Sequence, residues 1–256
     1  MPAWALGLLA VVLVAPPAIP SAALAGCPSV RSREPLGPIP SVAAAPVVPS
    51  SAGPQDSPGY AAALRPSPLG WLHRHHWCVW VEPASGEGAG LERARQWQQA
   101  VEAALAEWGA VVRIERVTEP AAAQVVVRRR RPPLRRDGGG HWRASHGRAE
   151  LELQRVWREG APSAEIEALV SVQLAADQRP AAMQATALHE LGHAFGLWGH
   201  SDDPGDGMAA VPGPVPVLRL SERDRSTMAW LLAQPGLQTG ASPFSLNTPS
   251  NSTELR

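Results

Sequence analysis

At 256 residues the chain has room for one ordinary domain with extensions. Apolar residues make up 45%, enough for a core, but 27 prolines and 23 glycines are too many for a uniformly folded chain, so part of it is expected as linker. The formal charge is zero, from 23 basic and 23 acidic side chains, which supplies no electrostatic case for nucleic acid, and two cysteines exclude a disulfide scaffold and a four-Cys zinc site.

In chain order, the first feature is the apolar run from Met1 to Ala15, too short to span a bilayer and shaped like the core of a secretory signal. Ala23-Leu24-Ala25 is a small-residue cleavage site, which sets a signal peptide over residues 1–26. Leu24-Ala25-Gly26-Cys27 also resembles a bacterial lipobox, whose Cys27 is lipidated after cleavage, and the two readings compete. A lipid on Cys27 would tether the chain to a membrane, and a plain signal would release it. Either way the protein is expected to be exported: secreted, periplasmic or anchored to the cell envelope. Residues 27–70 are rich in Pro, Ser and Ala with few large apolar side chains, and read as an extended Pro-rich linker.

Composition changes at Trp71, and nine of the ten tryptophans lie between there and Gln234. Trp77–Val81 reads as a buried strand, and Leu91, Ala94, Trp97, Val101, Ala104, Leu105 and Trp108 recur at helical spacing. Val111–Val117, Gln124–Val127, Glu150–Gln154 and Ala168–Leu174 read as four further strands. A helix follows, with Pro180 in its first turn and Met183, Ala187, Leu188, Leu191, Ala194 and Phe195 turned to a core. Strands alternating with helices in this order predict a sheet with helices packed on it. The polar residues 236–256 read as a disordered tail.

The chemistry concentrates in His189-Glu190-Leu191-Gly192-His193-Ala194-Phe195-Gly196-Leu197-Trp198-Gly199-His200. Four residues at about 100° each place His193 one turn beyond His189 on the same face, where two imidazoles can aim at one metal ion. Glu190, next to the first ligand, can reach a water on that metal without ligating it. A third ligand must return to the same point, and Gly196 permits the left-handed exit that bends the chain back toward His200.

This stretch resembles the signature of the metzincin zinc peptidases, and in detail the matrixin-like bacterial and cyanobacterial ones. The resemblance covers most of residues 71–235 and implies an α+β catalytic domain: a twisted, mixed five-stranded sheet, packed helices, an active-site helix and a Met-turn. It implies one catalytic Zn²⁺ held by His189, His193 and His200, Glu190 as general base, and a peptide or protein substrate. His200 lies one residue later than the common spacing, an extension the chain can absorb once it has left the helix. Met208, in Asp206-Gly207-Met208, occupies the place of the Met-turn, and Leu220–Leu232 resembles the helix that follows it. The Arg148–Gln154 segment matches the edge strand along which substrate lies, and the loop between Met208 and Leu220 builds part of the specificity pocket.

Other residues carry weaker signals. His141 and His146 lack the Asp-containing spacing of the structural zinc some matrixins bind and are assigned to a loop; whether a structural Ca²⁺ or a second Zn²⁺ is present stays open. Arg128–Arg131 with Arg135 and Arg136 reads as a solvated loop, and His73, His75 and His76 as exposed polar residues. Cys78 reads as a small buried hydrophobe, able to pair with Cys27 if that residue is not lipidated. A monomer is expected. Two rival readings remain. In one the third ligand is Glu222, which leaves Gly196 and His200 without purpose. In the other a non-catalytic exported protein of the same fold binds metal or peptide only, and the carboxylate of Glu190 argues against it.

Overall fold

The computed structural model describes residues 26–36, 57–136 and 139–237. The expected signal peptide up to residue 25, most of the tail and the middle of the expected linker lie outside these described residues. In chain order the elements are β1 (Val30–Pro35), β2 (His76–Val81), α1 (Gly88–Gly109), β3 (Arg113–Arg116), β4 (Val125–Arg128), β5 (Arg135–Arg136), β6 (Trp142–Arg143), β7 (Gly147–Arg158), β8 (Glu165–Leu174), α2 (Pro180–Ala194) and α3 (Glu222–Leu232). The fold is α+β. Its main sheet is mixed and six-stranded, in the order β1-β7-β8-β4-β2-β3, and β5 and β6 form a separate two-stranded hairpin.

The sheet has a parallel half and an antiparallel half, and the connections explain the division. α1 carries the chain from β2 back to a parallel β3, and β4 and β8 continue the parallel set. β7 turns directly into β8 and pairs with it antiparallel along ten residues, from Gly147 opposite Leu174 to Val156 opposite Glu165. Alternation along the strands puts Val79, Val125, Val127, Val170, Val172 and Leu174 on one face. There they meet Trp97, Val101, Leu105 and Trp108 of α1 and Met183, Leu188 and Leu191 of α2. Both helices cover this face. The other face mixes buried apolar residues such as Val126 and Val156 with buried polar ones that are paired: Arg158 clasps Glu167 through two 2.7 Å hydrogen bonds, and Gln124 accepts from the Cys78 N–H at 2.7 Å.

Two expectations are corrected here. The sheet has six strands and not five, because the segment read as linker supplies β1. β1 pairs antiparallel with the C-terminal half of β7, Gln154–Arg158. Its side chains are half-buried or exposed throughout, so it is held by main-chain hydrogen bonds and not by apolar burial. A composition argument based on apolar content cannot see such a strand. β7 is therefore an outer strand only toward its N-terminal end, and the expected edge role of Arg148–Gln154 is restricted to that half. The same segment also holds core residues: Tyr60, Ala61, Leu64 and Leu69 are all buried.

Cys27 is bonded to Cys78, closing a loop with a sequence separation of 51. Cys78 is buried as expected, and the pairing with Cys27 that the sequence left open is made. The bond staples the segment that leads into β1 onto β2. Among the described residues no helix is long and apolar enough to cross a membrane. Loop-closure entropy for this separation gives about 2–4 kcal/mol of stabilisation. Cys27→Ser is accordingly expected to lower the unfolding free energy read from urea titration by that amount, and wild-type protein unfolded with a reductant should match it. Equal midpoints for the oxidised wild type and the variant would show that β1 docks without the bond.

Candidate metal centre

Three elements build the site: the last turn of α2, the chain that leaves it, and the turn before α3. His189 and His193 stand one turn apart on α2. The helix ends at Ala194, and Gly196 takes φ +115°, a left-handed conformation that only glycine adopts freely. A side chain there would meet the Leu72 carbonyl at 2.0 Å, so close approach also demands glycine. The reversal is closed by Leu197 N–H donating to the Gly192 carbonyl at 2.9 Å. Trp198 then stacks on the His193 ring at 5.4 Å, and His200 arrives facing the other two imidazoles. Ring centroids lie 4.9 Å apart for His189–His193 and His193–His200, and 5.2 Å for His189–His200. The ligand-capable nitrogens of all three lie within 4.8 Å of one another. The one-residue extension before His200 is thus accommodated outside the helix.

Hydrogen bonds set the tautomers. His189 Nδ1–H donates to the Gly207 carbonyl at 3.0 Å, and His193 Nδ1–H donates to the Leu197 carbonyl at 2.7 Å. With Nδ1 protonated, each ring presents the Nε2 lone pair, the arrangement that orients metal-bound histidines. Burial lowers the basicity of all three: His189 and His200 fall below the ordinary histidine value, and His193 is pushed down to about 3 by burial and the adjacent His189. Three neutral imidazoles with convergent lone pairs are a donor set that fits a tetrahedral dication with one position left open.

Glu190 sits on the neighbouring face of α2, against the start of β7. A side chain at Gly147 would meet the Glu190 Cγ at 2.7 Å and Thr186 at 2.5 Å, so the strand can lie this close only with glycine at that position. Burial pushes the Glu190 carboxyl up to about 7, with the Ala149 backbone N–H and the Arg148 guanidinium acting the other way. A carboxyl near neutrality can both take and give a proton.

Met208 is fully buried beneath this helix, and a side chain at Gly192 would meet its sulfur at 2.1 Å. Its turn is held by Asp224, which is also fully buried. Asp224 Oδ2 accepts from the N–H groups of Gly207 (2.8 Å) and Ser221 (2.9 Å), and Oδ1 accepts from the Met208 N–H (3.4 Å) and the Tyr60 hydroxyl (2.7 Å). Desolvation and the Asp224 charge raise the Tyr60 phenol well above its ordinary value, so it stays a donor. A second buried carboxylate, Asp206, accepts from the Ser201 and Ser221 hydroxyls and meets Arg223 at 3.0 Å. The loop that carries His200 is tied to the same turn by Ser201 N–H donating to the Met208 carbonyl at 2.8 Å.

The sequence motif identified the three histidines, Glu190, Gly196 and Met208, and all of them meet here. The motif assigns no role to Asp224, Asp206, Gly147 or Tyr60. Asp224 had a legible signal, since Ser221-x-x-Asp224 is a capping box, which α3 forms. Tyr60 had none beyond being the only tyrosine. Glu222 is exposed at the first position of α3 and is not part of the histidine group. His73 and His76 are half-buried and not exposed as expected, His73 bonding the Gln234 carbonyl at 2.8 Å and His76 lying 3.2 Å from Glu115. His76 also neighbours Cys27 and Cys78, whose sulfurs are bonded to each other. The chain matches no known protein-family model, and no curated protein matches it.

Proposed function

We propose that the chain is a zinc-dependent endopeptidase of the metzincin, matrixin-like type, working outside the cytoplasm. The observation that carries the reading is the convergence of three neutral imidazoles, two pinned through Nδ1, beside a buried Glu190 that is not one of the ligands. A site that only stores metal has no use for that carboxylate. Zinc held by His189, His193 and His200 would act as a Lewis acid that polarises the scissile carbonyl and lowers the pKa of a bound water toward about 7. Glu190 accepts a proton from the attacking water and returns it to the leaving amine nitrogen. Met208 closes the apolar floor under the ligand helix, and Trp198 packs against the ring of His193, restricting its rotation. The N-terminal half of β7 begins at Gly147, against Glu190, and an extended peptide added there would present its carbonyls toward the site through main-chain hydrogen bonds. Val211 and Val215, both exposed, stand on the loop expected to wall the specificity pocket. A disulfide between Cys27 and Cys78 supports an oxidising compartment and hence export.

The test is metal analysis of purified protein with and without a chelator, run beside cleavage of an unfolded protein substrate. Expected are about one zinc per chain, loss of cleavage with loss of metal, and recovery on adding zinc back. Bound zinc with no cleavage under any condition would move the assignment to a metal-binding or peptide-binding protein of the same fold.

A further inference from the structure

We infer that the arginine-rich hairpin beside the candidate site is an exosite for an acidic stretch of the polypeptide to be cleaved; this rests on the peptidase reading and names its substrate class. Residues 128–148 hold eight of the chain's 23 basic side chains against a single acid, Asp137, in a protein whose formal charge is zero. Such segregation creates a local positive field that the overall charge conceals. Part of it is neutralised internally: Arg129 faces Glu82 and Arg148 faces Glu150, each at 3.9 Å, and Arg131 pairs with Asp177. Arg128, Arg130 and Arg136 are exposed and have no carboxylate partner among the described residues.

Two large apolar side chains stand out in the same element: Trp142 is 61% exposed and Leu134 is 56% exposed. The Arg136 guanidinium lies over the Trp142 ring at 4.9 Å, and Arg128 lies over Trp80 at 5.4 Å. Stacking holds each guanidinium in a fixed plane while leaving its N–H groups outward, which suits bidentate capture of a carboxylate. A loop that serves only solubility needs neither the exposed indole nor the ordered arginines.

Placement joins this surface to the site. The segment leaves the sheet at Arg128, the end of β4, and returns at Gly147, the residue packed against Glu190. Trp142 is five residues from Gly147, which limits it to about 17 Å along the chain. A peptide lying along the start of β7 therefore runs within reach of the arginines. Aspartate or glutamate side chains at its flank would meet Arg130 and Arg136, while the apolar face of Trp142 covers their methylenes.

The experiment uses the full chain carrying Glu190→Gln, so that peptide persists, and reads binding by fluorescence anisotropy. The probes are a labelled peptide with an Asp/Glu-rich flank and its Asn/Gln counterpart. The acidic peptide is expected to bind about tenfold more tightly at low salt, with the difference vanishing at high salt. Arg130→Glu with Arg136→Glu should erase the preference, and Trp142→Ala should weaken binding of the acidic peptide while circular dichroism stays unchanged. Equal affinity for the two peptides, or a preference that survives the charge reversal, would overturn the exosite. So would binding of phosphatidylglycerol vesicles without any preference between the peptides, which would make the surface a lipid contact. Because the readout is binding, its failure is separate from a failure of the wild-type protein to cleave.

Discussion

Replacing Glu190 by Gln is expected to lower kcat/KM for peptide cleavage by about a thousandfold or more while bound zinc stays at the wild-type level. The amide keeps the shape that fits between Thr186 and the start of β7, and its oxygen can still accept from the Ala149 N–H, but it cannot take a proton. Metal retention follows because the three ligand nitrogens come from His189, His193 and His200, none of which touches the altered group through a hydrogen bond. The fold should not suffer. Burial pushes the Glu190 carboxyl up to about 7, so the folded chain disfavours its ionised form. Wild-type protein stripped of metal should then lose stability relative to E190Q as pH rises from about 4.5, the ordinary glutamate range, through 7, and the gap should close below that window. Thermal midpoints of the two chelator-treated proteins across this range measure it. Undiminished turnover by E190Q would remove the base from the mechanism and with it the peptidase reading.

The second large effect is expected at a residue that touches no metal. Asp224→Ala removes an acceptor that serves the N–H groups of Gly207, Ser221 and Met208 and the hydroxyl of Tyr60. Those donors lie in a part of the protein where Asp224 itself is fully buried, so water cannot replace it without opening the turn. A loss of about 3–5 kcal/mol in folding stability is expected, read from urea unfolding. Zinc affinity should fall about ten- to a hundredfold in a competition titration, because the Gly207 carbonyl that orients His189 belongs to the same turn. Tyr60→Phe removes only one of the four donors and should cost about 1 kcal/mol with little change in zinc affinity. If Asp224→Ala leaves both quantities near wild type, the turn is held by Asp206 and the Ser201 ladder instead.

The local chemistry of this chain was readable before any coordinates. Helical spacing alone put His189 and His193 on one face, and the αL demand at Gly196 followed from the need to bring His200 back, because both are properties of backbone geometry over a few residues. The apolar runs at Trp77–Val81, Val125–Val127 and Ala168–Leu174 became interior strands for a similar reason: β-branched and aromatic side chains suit a pleated, buried surface. Alternation and composition, however, report only what side chains do. β1 pairs through its main chain in a segment rich in proline and serine, Cys27 finds Cys78 across 51 positions, and Tyr60 reaches Asp224 across 164. Such partnerships depend on which distant pieces the sheet and helices bring within hydrogen-bond range, and a periodicity of two or 3.6 residues contains no information at that separation. Hence the candidate ligands are visible in the chain itself, whereas the shell that holds them in place emerges only from the assembled fold.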